Sequence, residues 1–196
     1  MTDRSRPRPA PLLRVAAAAC AALVAAGCAH VPPWLERSYA RVGLAALAEE
    51  LEVDQASESG PFPGISANIG TLVGISDTRC VGVEAGIDAF DADRGDLDGY
   101  GFRYTGGPRW QWNMDGRVRP SVGTGLSWTD FRFDDVEHDF DPSGLGGYLD
   151  FGLDWMLTPR FALAARLREH LRYEDASRDK GMKHGLEFVL ESVWRF

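Results

Sequence analysis

Apolar and polar residues alternate along the C-terminal segment up to the final position. Leu186, Phe188, Leu190, Ser192, Trp194 and Phe196 fall on one face, and Glu187, Val189, Glu191, Val193 and Arg195 on the other. A period of two with one bulky apolar face and one charged face predicts a β-strand lying between two different media. The pattern recurs upstream. Phe161, Leu163, Ala165, Leu167, Leu171 and Tyr173 oppose Ala162, Ala164, Arg166, Arg168, His170 and Arg172. Leu149, Phe151, Leu153, Trp155 and Leu157 oppose Tyr148, Asp150, Gly152, Asp154 and Met156. A further strand is expected over Pro120–Trp128, with Val122, Thr124, Leu126 and Trp128 opposite Ser121, Gly123, Gly125 and Ser127.

Nearer the N-terminus the runs are shorter. Tyr100, Phe102 and Tyr104 alternate with Gly101, Arg103 and Thr105, and Trp110 and Trp112 resume the pattern after Gly106-Gly107-Pro108, where a bulge is expected. Val81, Val83, Ala85 and Ile87 alternate with Gly82, Glu84, Gly86 and Asp88, and Ile65–Ile75 is a weaker run. Tyr39–Glu52 reads two ways. Val42, Leu44, Ala46 and Ala48 share a face in a strand, whereas Leu44, Leu47 and Leu51 share one in an amphipathic helix, which the Ala, Leu and Glu content favours. The strand is preferred because it completes an even set of eight, the smallest number found in outer-membrane barrels.

The connections carry a second regularity. Asp77–Arg79, Asn113–Arg117 and Thr158–Arg160 are short joins, while Glu49–Gly60, Asp88–Asp98, Asp130–Gly144 and Glu174–Gly181 are long and charged. Short periplasmic turns alternating with longer external loops suit an all-β, closed, antiparallel up-and-down transmembrane β-barrel. A soluble lipocalin-like barrel also has eight antiparallel strands, but it would turn its large apolar residues inward around a ligand. Here one face gathers Gly, Ser, Asp, Glu and Arg. The other gathers Tyr100, Tyr104, Trp110, Trp112, Trp128, Trp155, Trp194 and Phe196, which suit the aromatic girdles of a membrane wall.

The N-terminus points to the same address. Arg4, Arg6, Arg8 and Arg14 precede the apolar run Val15–Ala26, and Ala25, Ala26 and Gly27 lead to Cys28. Residues 1–27 read as a secretory signal peptide, and 28–38 as a periplasmic segment before a barrel over 39–196. Leu23-Val24-Ala25-Ala26-Gly27-Cys28 is also similar to a lipoprotein box, which makes Cys28 the lipidation candidate; ordinary cleavage near Gly27 or Ala29 is the alternative. Removing residues 1–27, with four Arg and one Asp, takes the net charge from −8 to −11. So acidic a chain is a poor partner for nucleic acid. Cys20 leaves with the leader and Cys80 has no obvious partner, so neither a disulfide framework nor a zinc pattern is available. No cofactor is implied.

Candidate chemistry lies mostly in the lumen. Asp150 and Asp154 precede Arg166, Arg168 and Arg172 on the next strand, and Glu187 and Glu191 follow on the last. An acidic, basic, acidic succession on neighbouring strands predicts cross-strand ion pairs that fill a narrow barrel. Glu84, with Asp88, Arg103 and Arg109, extends the network to the far wall. The resulting interior reads as a structural plug in preference to a gated ion path. Glu169 breaks the pattern on the apolar face, so it is expected either near the external rim or turned inward by a bulge. Asp88, Asp91, Asp93, Asp96 and Asp98, and Asp130, Asp134, Asp135, Glu137, Asp139 and Asp141, make acidic loop clusters without the spacing of a dedicated calcium loop.

The final strand ending on Trp194 and Phe196 resembles the sorting signal of bacterial outer-membrane barrels, which implies passage through the barrel-assembly machinery. From Tyr39 to Phe196 the layout resembles the small OmpA-like and OmpX-like barrels. The likeness is carried by Arg119-Pro120-Ser121-Val122-Gly123-Thr124-Gly125-Leu126, by Leu157-Thr158-Pro159-Arg160-Phe161-Ala162-Leu163 and by the last strand. It implies the outer membrane of a Gram-negative bacterium, contact with outer-membrane lipid and lipopolysaccharide, and a part in envelope integrity or surface interaction, with no shared chemistry and no defined surface partner. The same segments are similar to the lipid A deacylase barrels, which implies a hydrolase as the alternative. That family places a Ser nucleophile two residues after its His on the penultimate strand, followed by Asn. Here the stretch reads His170-Leu171-Arg172-Tyr173, with Arg at the Ser position and His170 on the lumen face. His138 and His184 lie in or near the loops with no Ser arranged beside them.

Overall fold

The computed structural model describes residues 38–53, 56–92, 99–133, 143–175 and 180–196. They form eight strands: β1 (Ser38–Val53), β2 (Ala56–Ser76), β3 (Arg79–Asp91), β4 (Gly99–Trp112), β5 (Val118–Phe133), β6 (Ser143–Thr158), β7 (Phe161–Asp175) and β8 (Lys180–Arg195). Each pairs antiparallel with the next, and β8 pairs with β1 to close the barrel. Tyr39–Glu52 is therefore a strand. Helix propensity yields because β1 gains a ladder on each side, to β2 and to β8, and leaves no sheet edge. At the seam the Phe196 backbone N–H donates to the Ser38 carbonyl oxygen at 3.0 Å. Trp194 of β8 packs on Phe161 of β7, with ring centroids 4.7 Å apart.

Three expectations are corrected. Gly106-Gly107-Pro108 makes no bulge: β3 and β4 stay in one register from Arg79↔Trp112 to Asp91↔Tyr100. Only the pairing toward β5 lapses, between Gly106↔Leu126 and Arg109↔Gly123, where proline has no N–H to give. The register shifts that do occur lie at Gly74/Ser76 and Met156/Thr158, beside periplasmic turns. The span Glu49–Gly60 is not a long loop, because the β1–β2 ladder runs on to Val53↔Ala56. The strand expected over Pro120–Trp128 extends to Phe133 and takes in Asp130, whose carboxylate accepts from Arg132. The β4–β5 turn is tight, with Asn113 at φ 57° and its side-chain amide donating to the Val118 carbonyl at 2.7 Å.

Pairing also fixes the tilt. A rung followed from Tyr39 passes Gly70, Glu84 and Gly107, crosses to Gly125 in the register set by Gly106↔Leu126 and Arg109↔Gly123, continues through Tyr148, His170 and Gly185, and returns to β1 at Glu49, ten residues nearer the external end. Eight strands with that stagger lean about 40° from the barrel axis. Leu44, Leu126, Leu153, Leu167 and Leu190 stand exposed on the outer wall. Tyr104, Trp128 and Tyr173 ring its external end, and Trp110, Trp112, Trp155 and Trp194 its periplasmic end. An apolar band between two aromatic girdles is the surface of a membrane-spanning barrel.

Candidate functional site

The inward faces of the strands meet in a closed interior. Among the described residues six arginines (Arg41, Arg103, Arg109, Arg166, Arg168, Arg172) and seven carboxylates (Glu49, Glu84, Asp88, Asp150, Asp154, Glu187, Glu191) are buried there, and the partly buried Arg195 adds a further cation beside Asp154. Buried charge is tolerated only when paired, and these groups are paired through shared hubs. Glu84 accepts from Arg166 at 2.6 Å, from Arg109 at 3.2 Å and from the Tyr39 hydroxyl at 2.8 Å. Asp150 meets Arg166 at 2.7 Å, Arg109 at 2.9 Å and Arg168 at 3.2 Å. Glu191 sits 3.4 Å from Arg166 and takes the Asn68 amide at 2.8 Å. Glu187 joins Arg168 at 3.2 Å and His170 at 2.9 Å, and Arg168 reaches Asp88 at 2.8 Å.

The acidic, basic, acidic succession over β6, β7 and β8 thus brings Asp150, Arg166, Arg168, Glu187 and Glu191 together. Two of the sequence-derived residues take other partners. Asp154 is held across the lumen by a two-pronged bond from Arg41 of β1, both contacts 3.0 Å, with Gln111 and Arg195 beside it. Its β7 neighbour in register is Ala164, which offers nothing to bind. Arg172 reaches Glu49 of β1 at 2.9 Å, and Arg103 reaches the same carboxylate at 2.9 Å. Arg41 and Glu49 were missed by the sequence reading; their signal was the inward parity of Tyr39, Gly43 and Leu47 on a strand whose helical alternative obscured it. Inward glycines leave room for the long side chains: a Cβ on Gly152 would stand 2.8 Å from Ser121 Oγ and 2.9 Å from Arg109 Nη2.

Apolar layers flank the network. Leu47, Phe62, Phe90, Ala92 and Phe131 cluster at the external end. Leu72, Cys80, Met156, Ala162 and Val193 cluster at the periplasmic end, above an open vestibule of about 740 Å³ lined by Ile75, Met114, Arg160 and Phe196 among others. Arginine planes lie over the rings of Phe90 and Phe131, with Arg103 at 5.4 Å and Arg172 at 5.6 Å. Within the network Asp88 Oδ1, Arg168 Nη2, His170 Nδ1 and Glu187 Oε1 have no protein partner, and such remainders are what internal water satisfies. Among the described residues no three His, Cys, Asp or Glu side chains are placed to hold a metal ion.

His170 points into the lumen against Glu187, and Arg172 beside it faces inward too, so the penultimate strand presents no Ser–His pair to lipid. Glu169 does face outward, with no bulge: β7 keeps its register to β6 through Leu149↔Glu169 and to β8 through Glu169↔Leu186. His184, expected near a loop, lies on β8 and also faces outward. Its Nε2 is 2.9 Å from Glu169 Oε1. Residues 1–37, with Cys28, lie outside the described residues, as do His138 and the acidic clusters at 93–98 and 134–141.

The chain matches no protein-family model and no curated protein sequence. Among solved structures it is similar to Neisserial surface protein A, at 16% identity and TM-score 0.58, covering 81% of this chain and 97% of that one. It is similar to Ail, the attachment invasion locus protein of Yersinia pestis, at 14% identity and TM-score 0.58, with the same coverage. The outer membrane protein OprG from Pseudomonas aeruginosa gives 15% identity and TM-score 0.50 over 81% of this chain and 95% of that one. At such identities the likeness is one of fold. The fold is that of the small eight-stranded outer-membrane barrels, and its lipid-facing wall sets the chain across the membrane.

Proposed function

We propose that the protein is a non-enzymatic structural barrel of the outer membrane, a rigid wall that supports the envelope and displays acidic external loops for surface contact. One observation carries this reading: the interior is filled by a charge-compensated network capped by apolar side chains at both ends, so the barrel is a post and not a conduit. A solved Ail structure holds the heparin analogue sucrose octasulfate. The Asp-rich loops of this chain would repel such a polyanion, so a basic partner suits them better. The leader and Cys28 fit delivery through the periplasm, with a lipid on Cys28 as a second anchor.

In planar bilayers the folded protein is expected to show no steady conductance at neutral pH. Sustained openings on the nanosiemens scale would overturn the filled-lumen reading. Lipid A from cells expressing the protein is expected to keep every acyl chain, because among the described residues His170 and His184 are hydrogen-bonded to glutamates and to no serine hydroxyl. Loss of one acyl chain in its mass spectrum would favour the hydrolase.

A further inference from the structure

The Glu169–His184 pair has no part in the lumen network and stands on the opposite side of the wall. Its neighbours on β6, β7 and β8 are apolar: Leu149 and Leu186 lie beside Glu169 across the ladders, and Leu171 lies beside His184. The tilt fixes its height. On a wall leaning about 40°, a rung climbs about 3 Å per strand toward the outside. Between β5 and β8 this climb brings Glu169 and His184 to nearly the height of Trp128, in the external girdle. A carboxylate and an imidazole therefore sit together where outer-leaflet headgroups join their acyl chains.

The hydrogen-bonding capacity of the pair is specific. An ionised carboxylate only accepts, so His184 Nε2–H donates to Glu169 Oε1 at 2.9 Å. What remains for a ligand is the second carboxylate oxygen and, in the neutral ring, Nδ1, both acceptors. At the junction of headgroup and acyl chain glycerophospholipids offer ester and phosphate oxygens, acceptors as well, and their ammonium or hydroxyl donors lie farther out, beyond the phosphate. Acylated amino-sugar lipids offer hydroxyls and amide N–H groups there, which are donors.

We propose that Glu169 and His184 form a lipid-facing binding site for a hydroxyl- and amide-bearing saccharolipid of the outer leaflet. The site rests on the barrel reading above and adds a ligand class to it. The test uses the full-length protein folded in detergent, titrated by native mass spectrometry with purified lipid A and, separately, with phosphatidylethanolamine. The double variant Glu169→Leu/His184→Leu removes both polar groups together and leaves an apolar wall of the kind already present around them. Wild type is expected to bind one lipid A with about tenfold higher affinity than the double variant, and phosphatidylethanolamine equally weakly in both. Equal lipid A binding by the two proteins would overturn the site. So would tight phosphatidylethanolamine binding that the double variant loses, which would make an ammonium group the ligand. A chain whose migration is not heat-modifiable would sink the barrel reading and the site with it, whereas a folded barrel indifferent to lipid A sinks the site alone.

Discussion

Arg166→Met is expected to lower the unfolding free energy of the barrel by about 3–5 kcal/mol, the cost of removing one partner from a buried ionic network. Arg166 is fully buried and is the only side chain that contacts Glu84, Asp150 and Glu191 together among the described residues. Methionine nearly keeps the volume, so little of the loss comes from a cavity. The loss comes from three carboxylates left facing one another with Arg109, Arg168 and Arg41 as their remaining cations. Urea unfolding of the protein in phospholipid vesicles, followed by tryptophan fluorescence, measures the change. A loss below about 1 kcal/mol would show that the lumen is wet enough to solvate the carboxylates, as exposed pairs are. Adding Glu84→Gln and Asp150→Asn to Arg166→Met is expected to recover part of the loss, because the anions left without a partner are then neutral.

Leu190→Arg tests the other face of the same wall. Leu190 stands on the outer surface between Ala165 of β7 and Leu44 of β1, midway between the girdles. It is 53% exposed with no lipid around it. A guanidinium at the middle of a bilayer costs about 2–4 kcal/mol on a barrel wall, falling toward zero at the interfaces. The variant is therefore expected to unfold at lower urea in vesicles by that amount, with Met182→Arg, nearer the external rim, much milder. In water an exposed leucine tolerates arginine with almost no effect. Equal stability of wild type and Leu190→Arg would mean that this face never meets acyl chains.

Both expectations trace to a pattern already legible in the chain. From Val81 onward, strict alternation assigned each side chain to lumen or lipid, and the structure keeps that assignment at Asp150, Asp154, Arg166, Arg168, Arg172, Glu187 and Glu191. Tight turns were legible at Asp77–Arg79, Asn113–Arg117 and Thr158–Arg160 because proline, asparagine and aspartate punctuate them. Pattern was weaker where local signals conflicted. Tyr39–Glu52 carried helix-forming residues at helical spacing, and Gly106-Gly107-Pro108 carried loop chemistry inside a strand. Pairing on both sides of β1, and along the β3 side of β4, overrode each.

Who meets whom across the lumen was not legible. Asp154 reads as a neighbour of the β7 arginines, yet Arg41 grips it from a strand more than a hundred residues away. Arg172 reads as a partner for β8, yet Glu49 holds it. Glu169 and His184 looked like a misplaced charge and a loop histidine until adjacent strands set them diagonally on one face. Alternation is a local property of the backbone, which turns each successive side chain to the opposite face whatever else the chain does, so from Val81 onward the sequence by itself determined the strands, their faces and the medium each face meets. Cross-barrel and diagonal contacts depend on a stagger of ten residues accumulated over eight ladders, a quantity that exists only once β8 has closed on β1, and that closure decided the partners.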